Sequence, residues 1–285
     1  MSRGFPVRLE FPAAIGMMEA IGAHDLTSIL RILTWNVYGR ARYVNTRVPA
    51  IISEIGRANA DVVCLQEVAP WMAKRLHRDP TLRRTYRFIA SKRLFYLRGA
   101  LLILSRWPTK GTSYLPFNRG MYGRGALAAK LEVPGFGPLV VATTHLVSFL
   151  ERKRVRAAQL KKTLQWLAPY DDVILAGDFN FGDGEQPATS VLDPRYRDPW
   201  PALHPGQPGF TWNREASWLT RVNSFRGEKS RRLDRILVRS PRLVPTAIEL
   251  RGTEAITSRR PILHPSDHFA LLASLRIAAG PGKPR

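Results

Sequence analysis

Cysteine is nearly absent from this chain of 285 residues: Cys64 is the only one. No intrachain disulfide can form, and a reducing compartment is the default. Flanked by Val62, Val63 and Leu65, Cys64 reads as a small core residue. Long apolar runs are also lacking, and none approaches the roughly 20 residues of a membrane span. Phe11 to Met18 is the best apolar run near the N-terminus. Glu19 breaks it and His24-Asp25 follows, a poor fit to a secretory signal. A cytoplasmic or nucleoid-associated protein is the expectation. Acidic residues are scarce, 22 against 44 Lys and Arg, for a net charge of +22. Such a field attracts polyanions, nucleic acid first and an acidic membrane surface second. There is no Cys pair, and the polar residues at strand ends are mostly carboxylate and amide, which suits Mg²⁺ or Mn²⁺ and argues against a zinc site. Neither Ser148 nor Ser266 lies in a Gly-x-Ser-x-Gly turn, which argues against a serine hydrolase.

What is present is an ordinary globular composition, 45% apolar and 23% charged, enough for a sizeable core. Arg83-Arg84, Arg152-Lys153-Arg154, Lys161-Lys162 and Arg231-Arg232 concentrate the positive charge. Arginine suits phosphate because its planar fork donates two parallel hydrogen bonds. Strands are expected at Arg31 to Trp35, Asp61 to Leu65 and Ala100 to Leu104. A hairpin joins Ala126 to Val133 with Leu139 to Thr143 around Pro134-Gly-Phe-Gly-Pro138. Further strands are expected at Asp172 to Ala176, Leu233 to Val238, Thr246 to Leu250 and Phe269 to Leu275. Val48, Ile51, Ile52 and Ile55 repeat at helical spacing. Phe149 to Leu167 reads as a second helix, with Leu160, Leu164 and Leu167 on one side and a solvated basic face on the other. The Gly- and Pro-rich stretch from Phe181 to Ser230 reads as long ordered loops. No repeat or linker divides the chain. One α/β domain is expected at 31–277, with an arm at 1–30 and a tail at 278–285.

Six expected strands have polar groups at an end: Thr34-Trp35-Asn36, Leu65-Gln66-Glu67, Thr144-His145-Leu146-Val147-Ser148, Gly177-Asp178-Phe179-Asn180, Leu233-Asp234-Arg235 and Ser266-Asp267-His268. Ligands bind at strand ends in open sheets, and this inventory suits hydrolysis of a phosphodiester. That reaction needs an in-line nucleophile, neutralised phosphate oxygens and help for the leaving oxygen. Glu67 offers a hard oxygen ligand for Mg²⁺ or Mn²⁺. Asp178 can align or deprotonate water, while Asn180 and Asn36 hold water and phosphate. His268, oriented and kept charged by Asp234, can donate to a phosphate oxygen, and His145 can do the same from the opposite side.

These fragments, in this order, resemble the endonuclease/exonuclease/phosphatase superfamily from Arg31 to about Ile277. The resemblance implies a four-layered α/β sandwich of two packed mixed sheets, the deoxyribonuclease-like fold, with direct attack by water at a Mg²⁺-dependent site. It assigns the metal to Glu67, with Asp267 close by, and repeats the roles given to Asp178, Asn180, Asp234 and His268. Within the superfamily the C-terminal half is most similar to the tyrosyl-DNA phosphodiesterase 2 branch. Asp178-Phe-Asn180-Phe-Gly-Asp183-Gly-Glu185, Phe210-Thr-Trp212-Asn213, Leu233-Asp234-Arg235-Ile236 and His145-Leu-Val-Ser148 carry that similarity. Two positions depart from it. Tyr38 stands where the branch has an Asp, and Gly182 stands where it has an Arg.

The expected function is Mg²⁺-dependent phosphodiester hydrolysis at DNA ends or in single-stranded DNA by a monomer, with 5′-tyrosyl ends as the implied target. Ser148, Trp212 and Ser266 are expected to touch substrate. Arg231 or Arg232 is expected to bind the phosphate that Gly182, having no side chain, cannot reach. Trp212 suits stacking on an unpaired base, or else packs beneath its loop. The alternatives are a general nuclease, a phospholipid or inositol-phosphate hydrolase of the same superfamily, and a silent nucleic-acid binding module.

Overall fold

A computed structural model of the chain describes residues 29–90, 100–117 and 124–278. The expected arm lies outside the described residues except for Ile29 and Leu30, which belong to the first strand. Of the expected tail, only residue 278 is described. In chain order the strands are β1 (Ile29–Asn36), β2 (Val62–Val68), β3 (Arg87–Ala90), β4 (Ala100–Ser105), β5 (Thr109–Pro116), β6 (Gly125–Val133), β7 (Gly137–His145), β8 (Val173–Asp178), β9 (Asp234–Arg239), β10 (Leu243–Arg251) and β11 (Ala270–Ile277). The helices are α1 (Val44–Ala58), α2 (Pro70–Arg78), α3 (Pro80–Thr85), α4 (Lys153–Leu167), α5 (Ala188–Val191), α6 (Pro199–Leu203) and α7 (Trp218–Asn223).

The strands form a six-stranded sheet, in the order β10-β11-β1-β2-β4-β3, and a five-stranded sheet, in the order β5-β6-β7-β8-β9. Each sheet is mixed and holds one parallel pair, β1 with β2 and β7 with β8. The other pairings are antiparallel. Alternation along a strand sends successive side chains to opposite faces. On β8, Ile174 and Ala176 enter the main core between the sheets, while Val173 and Leu175 enter a second core on the outer face. Leu160, Leu164 and Leu167 of α4 cover that outer face. Val48, Ile51 and Ile55 of α1 are buried with the first sheet, at ~1.5–3 kcal/mol for each apolar side chain taken from water. Helix, sheet, sheet and helix give the expected four layers.

Local chemistry sets the boundaries. Asn59 ends α1 in the left-handed region, φ 47°, which Asn tolerates better than most residues. Asp79 caps α3 through the Leu82 amide at 2.9 Å, and Pro80 occupies a first-turn position where no amide hydrogen is needed. The helix expected from Phe149 begins at Lys153, after a 3-10 turn over Leu150–Arg152. The loops expected from Phe181 to Ser230 contain the short helices α5 to α7. Strands β3 and β5 lack a clean apolar period; α2 and α3 lie outside the expected elements although Pro70, Met72 and Leu76 mark the first and the Asp79-Pro80 pair the second. Among the described residues no helix is long and apolar enough to cross a membrane.

Candidate active site

The parallel pairs bring polar groups to one end of both sheets. Register places Asn36 opposite Gln66 on the first sheet and His145 opposite Asp178 on the second. Asp234 stands across from Asp178 on the other side. Three hydrogen bonds join the sheets here. Gln66 Nε2 donates to Thr143 Oγ1 at 2.9 Å, Asn36 Nδ2 to Asp178 Oδ2 at 3.0 Å, and His268 Nδ1 to Asp234 Oδ2 at 2.8 Å.

Asp178 is the hub. His145 Nε2 lies 3.2 Å and His268 Nε2 3.8 Å from its Oδ2, and the Asn180 amide donates to Oδ1 at 2.9 Å. Burial favours the protonated acid, but the charges of His268 and His145 and the hydrogen bonds from His145 and Asn36 outweigh it, so Asp178 lies well below the usual carboxylate range. For His268, burial opposes the charged ring, but Asp234 and Asp178 dominate and raise its pKa to about 10. Asp234 is held by the Thr211 hydroxyl, which accepts from the Leu233 and Asp234 amides at 3.0 Å each. Asp178, Asp234 and His268 fall close enough to suggest a metal cluster. His268 gives Nδ1 to Asp234 and, with its pKa raised to about 10, keeps a proton on Nε2 as well, so it stands beside Asp178 as a charged donor rather than as a metal ligand.

Glu67 sits on a bulge of β2, where pairing with β4 shifts between Leu65 and Val68. Its φ is 57°, and Tyr38 and Asn180 have φ 53° and 54°. Left-handed backbone at non-glycine residues costs ~1–3 kcal/mol and gathers at functional sites. Gly39 is needed beside the bulge, because a Cβ there would strike the Glu67 carbonyl oxygen. Gly39 N–H donates to Glu67 Oε2 at 3.3 Å, and His145 Nε2 lies 4.0 Å from Oε1. Burial would raise the Glu67 pKa, but His145, Arg124 and His268 lower it. Asp267 is the contrasting acid: burial, opposed by His268 and reinforced by Glu67, raises it to about 6.

The expected substrate contacts fare differently. Ser148 Oγ accepts from Arg124 Nη2 at 3.1 Å. Ser266 is fully buried, and its hydroxyl donates to the Asn36 carbonyl at 2.6 Å, so it braces the first strand instead of meeting substrate. Trp212 is buried against His268, ring centroids 4.8 Å apart, which favours packing over an open stacking platform. Arg232 is 2% exposed and forked between Asp183 and Asp198. Arg231 is held by Glu185 at 3.0 Å and by Glu228. Both expected phosphate arginines are therefore consumed by ion pairs within the fold.

The basic group that faces the site is Arg124, which does not stand out in the sequence. Its guanidinium also donates to the Leu146 carbonyl. Burial lowers its pKa while Glu67 and Asp178 act to raise it. The hairpin holds the signal. Ala126 pairs with Thr144, and counting two residues further back places Arg124 across from Leu146, next to His145.

Comparison with known proteins agrees with this geometry. The model of the Endonuclease/Exonuclease/phosphatase family matches residues 33–268. A 5′-tyrosyl-DNA phosphodiesterase of Caenorhabditis briggsae is 26% identical over 275 residues, covering 92% of this chain and 74% of that protein. The crystal structure of D. rerio TDP2 complexed with single strand DNA product is 26% identical and superimposes with a TM-score of 0.73, covering 87% of this chain and 99% of the other. The human Nocturnin catalytic domain with bound sulfate anion shares the fold at 20% identity and a TM-score of 0.66, covering 88% of this chain and 94% of the other.

Proposed function

The chain belongs to the endonuclease/exonuclease/phosphatase family and is a hydrolase of the phosphodiesterase and nuclease class, and we propose that it is a Mg²⁺-dependent phosphodiesterase acting on DNA ends, 5′-tyrosyl ends among them. One observation carries the reading: a buried carboxylate kept ionised among Asn36, His145 and His268, at the junction of the two sheets. Asp178 accepts a hydrogen bond from the attacking water and takes its proton. Asn180, whose side-chain amide is fixed by the Leu146 carbonyl at 3.0 Å, orients water and phosphate. His268 carries a positive charge at neutral pH and offers its Nε2 proton to a non-bridging oxygen. Arg124 takes the phosphate role expected of Arg231 or Arg232 and neutralises a second oxygen.

Glu67 fits a divalent cation. It is half-buried and ionised, and among the described residues a single backbone N–H is its hydrogen-bond donor. Asp267 adds a second hard oxygen within its field. A bound Mg²⁺ would supply Lewis-acid neutralisation of phosphate charge. The DNA preference is supported by the +22 charge and by the curated relative named for 5′-tyrosyl-DNA. Hydrolysis of a 5′-phosphotyrosyl oligonucleotide with Mg²⁺, abolished by EDTA, is the expected result. Cleavage of plain duplex with the tyrosyl end untouched would convert the reading to a general nuclease, and action on phospholipid vesicles alone would remove DNA from it.

A further inference from the structure

Tyr38 occupies the position where the resemblance leads one to expect a carboxylate, and its surroundings give it a definite task. Its hydroxyl donates to Asn223 Oδ1 at 3.2 Å, and Asn223 Nδ2 donates to Asp267 Oδ2 at 3.0 Å. The polarity of this chain of bonds is forced. An ionised carboxylate only accepts, so the amide must turn its NH₂ toward Asp267 and its oxygen toward the phenol, which must then donate.

Among the described residues, other side-chain donors to that carboxylate are poor. Ser266 Oγ lies 3.3 Å from Asp267 Oδ1, but its one hydrogen is engaged at 2.6 Å by the Asn36 carbonyl. Asn223 is therefore the side chain that fixes how Asp267 points. Tyr38 is itself locked. Arg47 Nη1 and Nη2 donate to the Tyr38 carbonyl at 3.1 and 2.8 Å, and the guanidinium lies 4.7 Å from the ring centroid. A cation over the ring strengthens the phenol as a donor. Arg47 is fully buried, and the carboxylates of Asp267 and Glu67 act to raise its pKa against the larger lowering by burial.

We propose that Tyr38 and Asn223 are positioning residues that aim the Asp267 carboxylate at the cation held by Glu67, an orienting phenol–amide relay in place of a further acidic ligand. The proposal rests on the divalent-cation reading of Glu67 and Asp267. The relay sets metal affinity because a ligand held in one rotamer loses less freedom on coordination, and outer partners of this kind change affinity by about 10–100-fold.

The test is calorimetric titration of the full chain with Mn²⁺, comparing wild type with Tyr38→Phe, Asn223→Ala and the double variant. Each single variant should bind Mn²⁺ about tenfold more weakly, and the double variant should be little weaker than either single, because both act along one chain of bonds. Metal-free melting temperatures identify a folding defect. Should Tyr38→Phe fold poorly, Asn223→Ala, at a half-buried site, carries the comparison alone. Affinities equal to wild type would overturn the relay and leave the cation site standing. A wild type that binds no Mn²⁺ would overturn both.

Discussion

Asp178 and Asp183 stand five residues apart in one motif, yet they belong to two charge clusters built in opposite ways. Around Asp178, acids outnumber fixed cations: Asp178, Asp234, Glu67 and Asp267 share two histidines, the edge of Arg124 and the field of Arg47. Around Asp183, every acid is closed off by a guanidinium. Asp183 and Asp198 hold Arg232 and Arg235, and Glu185 and Glu228 hold Arg231. The first cluster keeps negative charge available for a proton, a cation or a water. The second ties each of its four acids to at least one of three guanidiniums and fixes the loop that carries Asn180. The Asp-x-Asn-x-x-Asp-x-Glu spacing thus encodes chemistry in its first half and support in its second.

Four substitutions separate the clusters, beginning with the greatest effect. Asp178→Asn should lower kcat by about 10²–10⁴-fold with a stability loss in urea of only about 1–3 kcal/mol, the worth of the buried hydrogen bonds its carboxylate accepts. A collapse of stability instead would make Asp178 a structural residue. Arg232→Ala should act in reverse. Loss of the Arg232 fork costs about 1–3 kcal/mol in urea unfolding, below the range for a broken buried pair because Arg235 still pairs with Asp183 and Asp198 and Asp183 is 56% exposed. A loss of turnover with unchanged stability would return Arg232 to the substrate. Arg124→Ala should reduce kcat/KM on an oligonucleotide by about 10–100-fold, the worth of one hydrogen bond to a charged group, and inorganic phosphate should inhibit the variant less well. Glu185→Gln should be nearly silent, within about 1 kcal/mol of wild type by thermal melting, because its bridge to Arg231 is partly solvated. A large loss there would mean that the supporting cluster is less redundant than its geometry suggests.

Much of this is legible in the sequence because polar residues at the end of an apolar strand have nowhere to hide. Asn36, Glu67, His145, Asp178, Asp234 and His268 are each exposed by that contradiction, and the parallel pairs with their antiparallel neighbours β9 and β11 bring them together. What the sequence conceals has physical causes. Arg232 looks free because its partners Asp183 and Asp198 lie more than 30 residues away, and Arg231 because only one of its two partners, Glu228, is a near neighbour while Glu185 is distant. Arg124 is hard to see since only the hairpin register places it at the site. Strand β5 is half-exposed throughout and so carries no alternation clear enough to read. Ser266 and Trp212 suggest substrate because an isolated hydroxyl or indole looks the same whether it faces solvent or a neighbour.

The three bonds that cross between the sheets, Gln66 to Thr143, Asn36 to Asp178 and His268 to Asp234, make the reacting groups part of the fastening of the sandwich. A fastener cannot also be a hinge. Entry and exit of substrate must therefore be carried by the loops around the rim. Any slippage of one layer over the other, whether from pressure, heat or a resized core side chain, would be registered first as misalignment of the reaction and only later as unfolding. The enzyme would thus lose its rate before it loses its shape.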